Sequence, residues 1–354
     1  MQKPQRILVF HTAFIGDIIL SVPLVQALRD WAPTSHIGYV AIPSSAQILE
    51  NHPAVSEIVV YDKRGRDAGL SGILSMARVL RASQFDVALV PHRSIRSALV
   101  VWLARIPIRI GFDRSAGRFL LTDIVPYSEE AHEIIRNLSL LSALGVKVPG
   151  KILPAIFPSD TDRSVVDDVI AQHRSRHSRF EPENMVAIAP GSVWNTKRWI
   201  QDHFVGLIRL LVDEGYSIAM VGGAEDAHLC QEIEKATGSE RVVNTAGRLR
   251  LLQSAELLRR CKVVVSNDSA PMHLAGAVGT PVVAIFGATV PQFGFGPMGA
   301  QDEVVETLGL PCRPCSIHGG DACPIGTFEC MIRITPVQVL QKAQLILSRI
   351  SVRR

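Results

Sequence analysis

The chain has 354 residues, 47% of them hydrophobic and 20% charged, and a formal net charge of +4 from 37 basic and 33 acidic side chains. That length exceeds what one hydrophobic core usually fills, so two domains are expected, and so small a charge does not mark a nucleic-acid-binding protein. No apolar stretch reaches the roughly 20 residues of a membrane span. The first apolar run stops at His11 and reads as a strand, not a leader. All six cysteines lie in the second half, so no disulfide framework spans the chain, and a cytoplasmic location is expected.

In chain order, Arg6–Phe10 reads as an apolar strand. Gly16 then allows a tight approach, and Asp17 is placed to begin a helix over 17–30. The layout is that of a phosphate loop, yet neither the three-glycine dinucleotide pattern nor a Gly-Lys-Ser/Thr pattern is present. A turn followed by a helix cap accounts for Gly16 and Asp17 equally well. Strands are expected at His36–Ala41, Glu57–Val60, 86–90 and 108–111, with helical periodicity over 72–82 and 94–104. This alternation predicts a doubly wound parallel sheet.

A helix fits 132–144, stopped by Gly145. The Pro-rich stretch 146–158 begins a crossover, 160–174 looks helical, and 173–183 reads as a solvated basic loop. A second alternating set follows: strands at Met185–Ala189 and 217–221, helices at 202–214, Ala227–Thr237 and Leu251–Arg260, then a strand–helix–strand unit over 262–287 and a last strand at 303–307. The expected organisation is an α/β chain with domains at 1–155 and 156–334. An amphipathic helix within 335–354, capped by Thr335 with Pro336 at its first position, is expected to pack back toward the first domain.

The unit over 262–287 is the most informative stretch. An apolar strand runs into Ser266, Asn267, Asp268 and Ser269, all candidate caps, and Pro271 sits just inside the helix. Such a helix start favours an anion by about 0.3–1 kcal/mol per charge. Asp268 and His273 are spaced to face one ligand; a cap and a packed histidine are the plainer reading. Two further loops end strands of the same sheet. In APGSVWNTKRW (189–199), Gly191 and Ser192 permit close backbone approach and Lys197 suits a phosphate. In VGGAED (221–226), Gly222 and Gly223 leave room for a ring while Glu225 or Asp226 can accept from ribose hydroxyls or simply cap the next helix. Together the three loops read as a nucleotide-diphosphate pocket.

Residues 62–118 hold eleven Lys/Arg against four Asp, an excess of +7. Arg64, Arg66, Arg93 and Arg96 fall in loops or helix starts there, where an anionic acceptor, an anionic lipid surface or plain solvent would each suit them. Cys312, Cys315, Cys323 and Cys330 have the spacing C-x2-C-x7-C-x6-C, open to zinc, to packed free thiols or to a disulfide, with free thiols favoured in a reducing compartment.

These residues carry a family resemblance. Asn267-Asp268-Ser269-Ala270-Pro271-Met272-His273 with Ala275, Gly279 and Pro281, Gly16-Asp17 after the first strand, and Pro190-Gly191 followed by Lys197-Arg198-Trp199 resemble the ADP-heptose:lipopolysaccharide heptosyltransferases. The late cysteine segment is more like members that add the second inner-core heptose than those that add the first. Ala270 departs from a position where glycine is frequent. The resemblance implies two Rossmann-like domains facing across a cleft (the GT-B fold), no cofactor and no catalytic metal. It implies Asp17 as general base, and Ser192, Lys197, Gly222, Gly223, Asp226, Asp268, Ser269, Ala270, Met272 and His273 around the donor. It further implies ADP-heptose as donor, a phosphorylated Kdo-bearing lipid A acceptor held by Arg64, Arg66, Arg93 and Arg96, and a monomer peripheral at the cytoplasmic face of the inner membrane. The implied reaction is inverting heptose transfer to heptosyl-Kdo2-lipid A. Transfer of the first heptose or another core sugar, and a non-catalytic nucleotide-sugar-binding protein, stand as alternatives. An epimerase or dehydrogenase is disfavoured, because the dinucleotide fingerprint and a Tyr-x-x-x-Lys pair are missing.

Overall fold

The computed structural model describes residues 3–148 and 150–351, except the side chain of Ser351. The chain divides between Phe157 and Pro158 into two compact units. In the first, β1 (Arg6–Phe10), α1 (Ile15–Trp31), β2 (His36–Ala41), α2 (Pro43–Ala46), β3 (Glu57–Val60), α3 (Gly69–Ala82), β4 (Val87–Val90), α4 (Ile95–Leu103), β5 (Ile108–Phe112), β6 (Asp123–Val125) and α5 (Glu133–Ser139) follow one another. The six strands form one parallel sheet ordered β3-β2-β1-β4-β5-β6. β1 is buried on both faces, hence its unbroken apolar run. Leu8 and Phe10 turn to the face covered by Ile73, Met76 and Leu80 of α3 and Val100 and Val101 of α4, while α1 and α5 pack together.

The second unit repeats the plan. It runs α6 (Asp160–Arg176), β7 (Met185–Ala189), α7 (Gln201–Asp213), β8 (Ser217–Met220), α8 (Ala227–Thr237), β9 (Val242–Asn244), α9 (Leu251–Arg260), β10 (Val263–Asn267), α10 (Ala270–Ala277), β11 (Val282–Phe286), β12 (Glu303–Glu306), α11 (Glu329–Ile332) and α12 (Pro336–Ser351). Its parallel sheet is ordered β12-β11-β10-β7-β8-β9. In both sheets the first and fourth strands of the unit are neighbours and the order reverses between them. The loops that leave β1 and β4, and those that leave β7 and β10, therefore open at topological switch points, where doubly wound sheets take ligands.

Several expectations shift. β6 and β9 were not foreseen, since three-residue edge strands carry no readable period. The helix expected over 132–144 is α-helical only to Ser139, then tightens to a 3-10 turn over Leu140–Leu144 that ends at Gly145 in the left-handed region. The segment 173–183 is no solvated loop throughout: α6 continues to Arg176, and Phe180 is buried. The terminal helix packs on α7, β10, β11 and β12 and belongs to the second unit. Val339, Leu340, Ala343, Ile346 and Leu347 give it the apolar face for that core. Among the described residues, no helix is long and apolar enough to cross a membrane.

Candidate active site

At the second switch point, a 3-10 turn over Asn195–Lys197 follows β7, and α10 starts just after β10. Lys197 Nζ lies 2.7 Å from Asp268 Oδ2, with both side chains largely buried. Thr289 Oγ1, beyond the end of β11, donates to the same Asp268 oxygen at 2.7 Å. The two loops are tied together by Asn267. Its Nδ2 donates to the Pro190 carbonyl at 2.8 Å, and its Oδ1 accepts from the Trp199 N–H at 3.0 Å. Trp199 in turn donates its indole N–H to the Ile334 carbonyl. Asn267, expected as a cap, is thus a fully buried bridge.

Ser269 occupies the N-cap position of α10 without a side-chain cap. Its hydroxyl turns to the Gly191 carbonyl instead, and Pro271, in the first turn of the helix, has no N–H to offer. Ala270 and His273 are half-buried there. Met272 is buried, with its N–H given to the Ser269 carbonyl; its side chain belongs to the core and can line the site only from behind. Ser192 is buried, and its carbonyl accepts from Arg198 Nε at 2.7 Å.

The loop after β8 joins through Asp226, whose Oδ2 accepts from the Gly223 N–H at 3.0 Å. A Cβ on Gly191 would sit 2.1 Å from Asp226 Oδ1, and one on Gly222 2.7 Å from its Cβ, so both glycines make room for this carboxylate. Burial, then the neighbouring Glu225, pushes the Asp226 carboxyl above its ordinary range, against the Gly223 hydrogen bond and Arg198. Asp226 therefore shapes the turn, and the exposed Glu225 remains open to solvent.

The cysteine segment folds against this site through groups other than its thiols, including the Cys315 N–H, which donates to the Ala288 carbonyl at 2.9 Å. The Gly320 N–H donates to Thr196 Oγ1 and the Gly320 carbonyl accepts from the Thr196 N–H. Arg313, between the first two cysteines, donates to the carbonyls of Gly287 and Thr289 and to Glu306 at 2.6 Å. In the sequence this segment is marked by its thiol spacing, and neither Arg313 nor Thr289 carries a local signal. All six cysteines are free thiols. Cys330 is buried in the core, Cys315 donates to the Cys312 carbonyl, and Cys323 accepts from the Phe328 N–H. Among the described residues, no three His, Cys, Asp or Glu side chains are placed to hold a metal ion.

At the first switch point, α1 opens with Asp17 in its first turn. Around it the loops after β1, β3 and β4 form a polar network. Lys63 Nζ donates to the Thr12 carbonyl at 2.5 Å and to its hydroxyl at 3.1 Å. Thr12 Oγ1 also lies 3.3 Å from His92 Nδ1, and Arg96 donates to the Lys63 carbonyl at 2.8 Å. Arg93 lies over the Tyr127 ring at 4.4 Å, and Arg64 over Phe14 at 5.6 Å. Arg66 is different: it is mostly exposed and turned to Asp67 at 3.4 Å.

Burial, with Lys63 and Arg93 adding to it, pushes His92 down to about 4. Burial, His92 and Lys63 push His11 well below the usual histidine value. Lys63 is itself lowered, first by burial and then by Arg64 and Arg96. On the other side, burial raises Glu133, with Asp17 adding to the rise against its ion pair with Arg136 at 3.0 Å. Asp17 thus lies near enough to the buried Glu133 to raise it. No sequence pattern marks His11, Thr12, Lys63 and His92 as site residues; the nearest signals are the basic excess over 62–118 and the end of β1 at Phe10.

Two doubly wound parallel units, each with its polar loops at the switch point, define a GT-B-type glycosyltransferase fold. The structure of the family 9 glycosyl transferase from Veillonella parvula DSM 2008 shares it, with a TM-score of 0.88 and 26% identity over 98% of this chain and 99% of that one. That of Escherichia coli ADP-heptose LPS heptosyltransferase II matches with a TM-score of 0.78 and 27% identity, over 97% and 99%. The pattern of glycosyltransferase family 9 (heptosyltransferase) matches residues 73–320, and the chain belongs to that family. In sequence it is 28% identical over 350 residues to lipopolysaccharide heptosyltransferase 2 of Escherichia coli K12, covering 97% of this chain and 98% of that protein.

Proposed function

We propose that this glycosyltransferase transfers L-glycero-D-manno-heptose from ADP-heptose to heptosyl-Kdo2-lipid A, with inversion. Full-length similarity to heptosyltransferase 2 proteins of Escherichia coli and Haemophilus ducreyi supports the donor and the step. The observation that carries the reading is the Lys197–Asp268–Thr289 cluster beside a helix start, a compact cation next to the positive end of a helix, as a diphosphate requires. Lys197 holds the diphosphate and Asp268 accepts from heptose hydroxyls. Ser192, Ser269, Ala270 and His273 surround the leaving group, with Met272 behind them, and the Gly222–Gly223 turn set by Asp226 receives the adenosine.

Chemically this is one displacement. The acceptor hydroxyl oxygen attacks the anomeric carbon, its proton passes to the Asp17 carboxylate, and the C–O bond to the diphosphate breaks with the electron pair leaving on ADP. The diphosphate needs charge stabilisation in place of a general acid, which a lysine and a helix start supply. Lys63, Arg64, Arg93 and Arg96, with Arg66 at the rim, meet the anionic groups of the acceptor at the cytoplasmic membrane face. The test is Asp17→Asn. Heptose transfer, read as the mass gain of a truncated acceptor, falls about 10²–10⁴-fold, while ADP-heptose binding by calorimetry is unchanged. Surviving activity sinks the base assignment; joint loss of turnover and binding does the same.

A further inference from the structure

The outward face of the first unit carries a surface that the transfer chemistry leaves unused. α3 buries Ile73, Met76, Ala77 and Leu80 and turns Leu70, Leu74 and Arg78 outward at i, i+4 and i+8, with Arg81 following. α4 packs beside it and shows Ile95 and Trp102 to solvent, with Leu99 and Leu103 partly exposed on the same stripe. The backbone of Gly117 lies against Ala98 and Ile95, which brings Phe119 to the end of α4. Leu70, Leu74, Ile95, Trp102 and Phe119 are each between 45 and 75% exposed. Scattered apolar residues on a surface need no explanation, but a run of large ones across adjoining elements does.

What surrounds this run identifies its partner. Arg78, Arg81, Arg105 and Arg118 are all exposed, and none is in an ion pair among the described residues. The Arg81 guanidinium bonds the Leu103 carbonyl, which pins the two helices together. From residue 68 to residue 120 the only acids are Asp86 and Asp113; the Asp86 carboxylate is taken by the N–H groups of Gln5 and Arg6 at 2.8 Å, and that of Asp113 accepts from the Tyr127 N–H at 2.9 Å. The surface is therefore apolar at its centre and cationic at its rim.

We infer that the α3–α4 face, with Phe119, is a docking surface for an anionic phospholipid bilayer. Leu70, Leu74, Ile95, Trp102 and Phe119 enter the interfacial layer, where an indole and apolar side chains are at home. Arg78, Arg81, Arg105 and Arg118 meet lipid phosphates. A second copy of the chain fits poorly, because a self-complementary contact would set this arginine-rich rim against its own kind. The surface argument is independent of the assigned reaction; only the idea that the docked bilayer also carries the acceptor rests on it.

The experiment uses the full chain without donor or acceptor. Vesicles of phosphatidylcholine alone, and with about a third phosphatidylglycerol, are titrated while Trp fluorescence and cosedimentation are followed. The anionic vesicles bind more than tenfold tighter, the advantage shrinks as salt rises, and Trp102→Phe removes most of the blue shift on binding. Arg78→Gln with Arg118→Gln weakens anionic-vesicle binding about ten- to thirtyfold, and Leu70→Ser with Phe119→Ser weakens it on both lipids, all with unchanged circular dichroism. Activity toward a water-soluble truncated acceptor stays at the wild-type level in both double variants. Equal binding to the two vesicle types, no binding, or a protein dimer abolished by these same substitutions overturns the proposal. None of these outcomes touches the Asp17 test.

Discussion

At the switch point of the second sheet, Lys197 meets Asp268 at 2.7 Å and Thr289 fills the next site on that carboxylate. At the switch point of the first, Lys63, Arg64, Arg93 and Arg96 converge, and among the described residues none of them forms an ion pair. The strand order is the same, and the electrostatics are opposite. The second site is internally balanced and holds its geometry before a ligand arrives. The first keeps an excess of positive charge, and burial, with Lys63 adding to it, lowers two histidines there. A doubly wound sheet decides where loops gather; which charges meet there decides what they can bind.

The contrast can be broken most severely at the balanced site. Asp268→Ala strands Lys197 in a largely buried position and is expected to cost about 3–5 kcal/mol in denaturant unfolding. Lys197→Met with Asp268→Leu recovers most of that stability without recovering donor binding. If the single and double variants are equally unstable, the two charges do not balance each other. Asn267→Ala removes the bridge between the loops and leaves the Pro190 carbonyl and Trp199 N–H without it. The expected loss is about 1–3 kcal/mol, seen as a lower melting temperature, and an unchanged melt would make the bridge dispensable.

Acid sharpens the comparison from the other side. His92 and His52 are both pushed down to about 4, chiefly by burial, against roughly 6.5 in an unfolded chain. Between those values the unfolded state binds more protons, so stability is full above about 6.5 and drains away as pH falls toward 4. From pH 7 to pH 6 this amounts to about 0.7 kcal/mol for each imidazole. Amide exchange corrected for pH is expected to show the first unit loosening before the second; the reverse order contradicts the assignment. The smallest effect is expected at Arg66. Its side chain is 77% exposed and already turned to Asp67, so Arg66→Ala changes the acceptor KM less than twofold, whereas Arg96→Ala raises it severalfold. A larger effect at Arg66 than at Arg96 reverses the order of the cationic pocket.

The sequence by itself determined the alternating plan, the apolar central strands and the loops around Gly16, Lys197, Gly222 and Asp268, because buried parallel strands and helix starts are local patterns with fixed periods. Its family motif, too, could be read without coordinates. Pairings across distant loops were another matter. That Asn267 bridges Pro190 and Trp199, that Arg313 and not the thiols fastens the late loop, and that Thr12 joins Lys63 to His92 are contacts between residues 50 to 80, or in one case more than 20, positions apart. Hydrogen-bond geometry over such separations is set by sheet order and register, which no local period encodes. The same holds for the apolar face of α3 and α4: a strip of leucine, isoleucine and tryptophan reads as core until the fold shows which side is turned to solvent.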